Sequence, residues 1–155
     1  MKIRDQLKCI ETGFAPWVKI NGAVFSIASD TYDLCTLLAQ SAKSMRIVVL
    51  FEGEDKRGDF EECGFVDRKF WVVASRGSGL ALKSGTNLLD GVAGGRPLYE
   101  LIEELREQLR SLTFDTATTE VTPDYKGCEP FSFEGYLTDA MKLTFTIGTQ
   151  LPAVA

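Results

Sequence analysis

From Pro97 to Leu112 the chain reads "PLYELIEELREQLRSL". Leu98, Leu101, Ile102, Leu105, Leu109 and Leu112 recur there at the spacing of one helical face. Glu100, Glu103, Glu104, Arg106, Glu107 and Arg110 fall outside that stripe. Pro97 suits the first helical position, where its missing N–H costs nothing. A helix with one apolar face must lie on something, so the rest of the chain has to supply a surface for it.

Strands supply it. In "MRIVVLFEG" the unbroken run Ile47 to Phe51 predicts a strand buried on both sides. "FVDRKFWVVAS" puts Val66, Phe70, Val72 and Ala74 on one face, with Asp67 and Lys69 on the other beside Phe65 and Trp71. Only a charged segment of about a dozen residues joins these two runs, which predicts antiparallel pairing, since a parallel crossover needs more chain. Near the C-terminus Met141, Leu143, Phe145 and Ile147 alternate with Lys142, Thr144 and Thr146, a further strand. Trp17, Trp71 and Phe70 are expected in the core.

The remaining segments read less sharply. Ile3, Leu7 and Ile10 predict a short helix over residues 1–11. Asn21-Gly22, between two β-prone runs in "WVKINGAVFSI", predicts a hairpin with a type I′ turn. "SDTYDLCTLLAQSAK" predicts a helix capped by Ser29 or Asp30, with Leu34, Leu37, Leu38 and Ser41 or Ala42 on one face. "TATTEVT" reads as a strand, and "PDYKGCEPF" as a turn in which Asp124 and Gly127 shape the backbone. The fold expected is α+β: a mainly antiparallel sheet with the helix at about 97–112 packed on one face, plus a long glycine-rich loop. All of it forms one domain over residues 1–155.

Composition limits the chemistry. Hydrophobic residues make up 45% of the 155, too many for a disordered chain, yet no apolar run approaches a membrane span. The start, "MKIRDQLKCIE", is too charged for a secretory leader, so a cytosolic origin is expected. Cys9, Cys35, Cys63 and Cys128 are widely spaced without a C-x-x-C pair, and free thiols are expected. There is no histidine, which removes the commonest general base, the usual serine and cysteine hydrolase arrangements and most zinc sites.

The net charge of -5 is concentrated. Between Glu52 and Glu62, the six acids Glu52, Glu54, Asp55, Asp59, Glu61 and Glu62 face only Lys56 and Arg57, a balance of -4 that leaves -1 for everything else. A chain that grips duplex DNA shows a basic face instead. An EF-hand fails as well: with Gly58 at the turn, Gly53 and Lys56 fall at ligand positions. Glu61 and Glu62, adjacent on an extended chain, point apart and make no acid–base pair. A solvated hairpin tip is the simpler expectation.

"SRGSGLALKSGTN", residues 75–87, has the ingredients of a phosphate loop in the wrong order. Leu82 precedes Lys83-Ser84 where a P-loop needs glycine, and Leu82 also takes the place of the third glycine of a dinucleotide fingerprint begun by Gly77 and Gly79. Ser75, Ser78 and Ser84 have no histidine to activate them. No catalytic residue, metal site or cofactor is expected. The loop from Arg76 to Arg96 is nevertheless longer than structureless loops in compact domains usually are. Its apolar Leu80, Leu82, Leu88, Leu89 and Val92 must be buried against their own sheet or on another subunit. A glycine-articulated docking arm is the favoured reading, with Arg76, Gly77, Gly79, Leu80, Leu82, Leu88, Leu89, Val92 and Arg96 as candidate interface residues.

In this layout the chain resembles the tail terminator, or tail completion, proteins of long-tailed bacteriophages. The resemblance runs from about Leu34 to Pro152: a helix before "RIVVLFEG", a charged loop, "GFVDRKFWVVASRG", a loop, "RPLYELIEELREQLRSLTF" and the alternating "DAMKLTFTIGTQLP". It lies in the order and spacing of these features, none of which is a signature alone. The Asn21-Gly22 hairpin departs from the family pattern, in which a longer first helix leads. What the resemblance implies is a structural virion protein without catalytic residues: a six-membered ring that caps the finished tail tube and presents the docking face for the head. Its implied partners are copies of itself, the tube protein and a head-completion or neck protein. DNA passes through the channel without tight binding, no membrane is involved, and assembly takes place in the host cytoplasm. Family rings line the channel with negative charge, which makes Glu52, Glu54, Asp55, Asp59, Glu61 and Glu62 the candidate lining. The alternatives are a head-closure or neck protein, a baseplate component of a contractile injection apparatus, or a small enzyme or ligand-binding domain with residues 76–96 as a lid.

Overall fold

A computed structural model describes residues 2–39, 45–56, 64–76, 97–115, 120–132 and 139–152. Its first element is a helix, α1, Ile3–Asn21, where a short helix and a hairpin were expected. Gln6, Ile10, Phe14 and Trp17 form one buried face along its length, and Pro16 lies on the solvent side. The Asn21-Gly22 pair ends this helix instead of turning a hairpin. Gly22 takes a φ of 61°, its N–H bonds to Lys19 O at 3.3 Å, and Ala23 N–H bonds to Val18 O at 3.0 Å. The positive φ that a type I′ turn needs is the same conformation that closes a helix C-terminus, so one dipeptide signals both. Gly22→Ala is expected to lower stability by about 1 kcal/mol through left-handed strain, read as a lower urea midpoint with an unchanged slope.

A short strand, β1, Val24–Ala28, leads to α2, Thr31–Ala39. Reciprocal bonds fix the start of α2: Asp33 N–H donates to Asp30 Oδ1 at 2.7 Å, and Ser29 N–H donates to Asp33 Oδ2 at 2.8 Å. Next come β2, Met45–Lys56, and β3, Phe65–Arg76. They pair antiparallel, as the sequence predicts, in a register that runs from Met45 opposite Arg76 to Lys56 opposite Val66. β1 pairs with β2 in parallel across the α2 connection, so the sheet is mostly rather than wholly antiparallel.

The leucine stripe forms α3, Leu98–Arg110, with Pro97 just ahead of it as the cap residue rather than inside the helix. Leu98, Leu101, Ile102, Leu105 and Leu109 are buried, as is Leu112 beyond the helix end. Phe114–Asp115 (β4) and Glu120–Val121 (β5) make a two-stranded ladder. Asp124–Pro130 is a strand, β6, where a turn was expected; it pairs with the last strand, β7, Asp139–Gln150. A bulge between Tyr125 and Gly127, with Gly127 at φ 140°, accommodates the turn-prone residues without breaking the ladder.

Among the described residues, five strands form the main sheet in the order β1-β2-β3-β7-β6. α1 and α3 cover one face. There Ile10, Phe14 and Trp17 join the leucines of α3 and the strand residues Ile47, Val49, Phe70, Val72, Leu143 and Phe145 in one core. α2 lies on the other face, over Val48, Leu50 and Val73. β2 and β3 therefore carry apolar residues on both sides, which accounts for the unbroken run Ile47 to Leu50.

Candidate functional site

Of the docking-arm candidates, Gly77, Gly79, Leu80, Leu82, Leu88, Leu89, Val92 and Arg96 lie outside the described residues. Arg76 is the last residue of β3, opposite Met45 on one side and Asp139 on the other. Asp59, Glu61 and Glu62 of the acidic segment also lie outside. Glu52, Glu54 and Asp55, expected in a loop, stand on β2 instead. The ladder with β3 continues past them: Glu54 lies opposite Arg68, and Asp55, opposite Asp67, is reached diagonally by Lys69.

β1 ends opposite Leu50, so from Phe51 onward β2 pairs only with β3. The register shifts between Phe51 and Gly53, which puts Glu52 in a bulge. Beyond it, Asp55 Oδ2 lies 2.6 Å from Lys69 Nζ, and Glu54 Oε2 accepts from Arg68 Nε at 3.2 Å. Hydrogen bonding to Asp55, and then its charge, raises the Lys69 pKa above the ordinary lysine value. Two of the three described acids are thus matched to cations of β3.

Arg68 is the residue that the sequence reading passed over. It sits between Val66 and Phe70 on the apolar face of β3 and is itself buried. Its Nη1 donates to Gln6 Oε1 at 2.9 Å, Gln6 Nε2 donates to Thr149 Oγ1 at 2.9 Å, and that hydroxyl donates to Ile147 O at 3.2 Å. Four elements, α1, β2, β3 and β7, meet in this polar chain. A charged residue at an inward position of an alternating strand was the available signal. A buried guanidinium has to find acceptors, and here they come from α1 and β2.

The opposite sheet face carries a second polar group. Lys142 Nζ lies 4.2 Å from the centre of the Trp71 ring and 2.9 Å from Glu129 Oε1. Nearby on β6, Lys126 Nζ lies 2.6 Å from Asp124 Oδ2. Cys9, Cys35 and Cys128 form no disulfide, and the Cys9 thiol donates to Thr113 O at 3.4 Å; burial raises the pKa of Cys35 and, foremost among several causes, that of Cys128. Both thiols are thereby less nucleophilic than an ordinary cysteine. Among the described residues no three His, Cys, Asp or Glu side chains are grouped to hold a metal ion, and no helix is long and apolar enough to cross a membrane.

No protein-family model matches the chain, and no curated protein sequence matches it. What the described geometry offers is a charged hairpin end braced from beneath by a buried arginine.

Proposed function

We propose that the chain is a tail terminator: a structural virion protein that forms a homohexameric ring on the end of the tail tube and supplies the head–tail joining interface. The observation that carries this reading is the order of elements. A helix precedes the strand "RIVVLFEG", a charged hairpin end follows, and then come β3, α3 and the alternating β7. The one departure noted in the sequence, a hairpin in place of a long first helix, is replaced by the 19-residue helix α1. The partners are then other copies of the chain, the tube protein and a neck protein, in the tail or neck of the virion.

In this reading, extracts lacking the chain yield tubes without a cap and heads that stay unjoined, and adding the purified chain restores joining. Normal joining in its absence counts against the proposal. The acidic segment has a separate role, keeping DNA from adhering as it passes. Glu54 and Asp55 are engaged with Arg68 and Lys69, so Glu52, Asp59, Glu61 and Glu62 are the acids to neutralise. Changing these four to Gln or Asn is expected to leave ring assembly intact and to reduce genome delivery, measured as infectivity per assembled particle. An equal loss of assembly would remove the lining role.

A further inference from the structure

Open strand edge remains among the described residues at β1, the end of β2 beyond Phe51, β6, the end of β7 beyond Thr146 and the two-residue strands β4 and β5. Two of them carry the features that discourage edge-to-edge pairing. The β2 end has a bulge and exposed Glu52, Glu54, Asp55 and Lys56. β6 has its own bulge, Lys126, Glu129 and a terminal Pro130. β1, "VFSIA", has no charge, no proline and an unbroken register. It also carries an exposed apolar side chain, Val24. Two further exposed apolar residues, Ile20 near the end of α1 and Tyr32 in the first turn of α2, belong to the helices that precede and follow β1 in the chain.

We infer that β1 is a self-association edge, which pairs antiparallel with β1 of a second copy of this chain across a two-fold axis. A row of unpaired backbone groups is satisfied by another extended strand, and the neutral edge meets its own copy without like-charge repulsion. The flanks favour the antiparallel sense. Exposed Lys19 precedes β1 and exposed Asp30 follows it, so antiparallel pairing sets the cationic end of each copy beside the anionic end of the other. Parallel pairing sets like ends together. With all five residues paired, Ser26 falls on the axis and Val24 of one copy lies opposite Ala28 of the other. The contact goes beyond the ring reading: it joins free subunits two by two, whereas a ring is built from head-to-tail contacts on other surfaces.

Sedimentation of the whole chain against concentration tests it, comparing the native sequence with Ser26→Lys, Ser26→Glu and an equimolar mixture of the two. Ser26 is half-buried, and both replacements have arms long enough to reach water. The native chain is expected to dimerise. Each variant alone sets like charges face to face and dissociates about tenfold or more readily, and the mixture restores the dimer. A monomeric native chain, unaffected variants, or a mixture that stays dissociated overturns the inference. Should either variant fail to fold by circular dichroism, amide exchange of residues 24–28 in the native chain decides: protection rises with concentration if the edges pair and stays constant if they do not. Tube capping is scored separately, so the edge contact and the ring reading can fail independently.

Discussion

Arg68→Ala is expected to lower the unfolding free energy by about 3 kcal/mol, measured by urea denaturation at neutral pH. The guanidinium holds Gln6, which is buried on α1, and Glu54 on β2. Its removal leaves the Gln6 carbonyl oxygen without that donor and withdraws the cation from Glu54. The Glu54 end of the pair is partly exposed, which keeps the loss below that of a fully enclosed ion pair. Glu54→Gln should therefore cost well under half as much. The double variant Gln6→Leu with Arg68→Met removes donor and acceptor together and keeps much of the volume, so it should recover most of the stability. A single-site loss below about 1 kcal/mol, or no recovery in the double variant, would show that this polar chain does not hold α1 to the sheet.

Phe70→Ala should cost about 4 kcal/mol in the same assay. Phe70 is fully buried at the middle of β3, with Phe145 stacked at 5.5 Å between ring centres and Phe51 at 5.5 Å on the other side. Truncation leaves a cavity walled by two aromatic rings belonging to neighbouring strands, and the strand ladders on both sides limit how far those walls can close. The adjacent Trp71 faces the other side of the sheet and is only half-buried, so Trp71→Ala should cost about half as much. Equal losses at the two positions would mean that the two faces of the sheet are equally sealed, contrary to the layering described above.

Much of this architecture was legible in the chain. The leucines of α3, the alternation of β7 and the unbroken run in β2 each point to a single period, and the buried positions follow them. What misled was local chemistry with two uses. Asn21-Gly22 supplies a positive φ that either a hairpin or a helix C-terminus can take, and the buried face of α1 decided for the helix. The turn-rich Asp124 to Gly127 became an edge strand because β7 provides a ladder partner and a bulge absorbs the glycine. Glu52, Glu54 and Asp55 read as loop residues because charge runs are usually solvated, while Arg68 and Lys69 of β3 hold Glu54 and Asp55 on β2. Of the candidate site, only that acidic strand end and Arg76 lie among the described residues. The support of the strand end by Arg68 depends on a contact from α1, far away in sequence, which no local pattern encodes.

The most direct test of the ring account is electron microscopy of the purified chain mixed with phage tail tubes, averaged at the tube ends. The account expects extra density on one end only, with the six-fold symmetry of a closed ring, and none on tubes incubated without the chain. Tube ends that look the same with and without it, while the chain remains in solution, would contradict it.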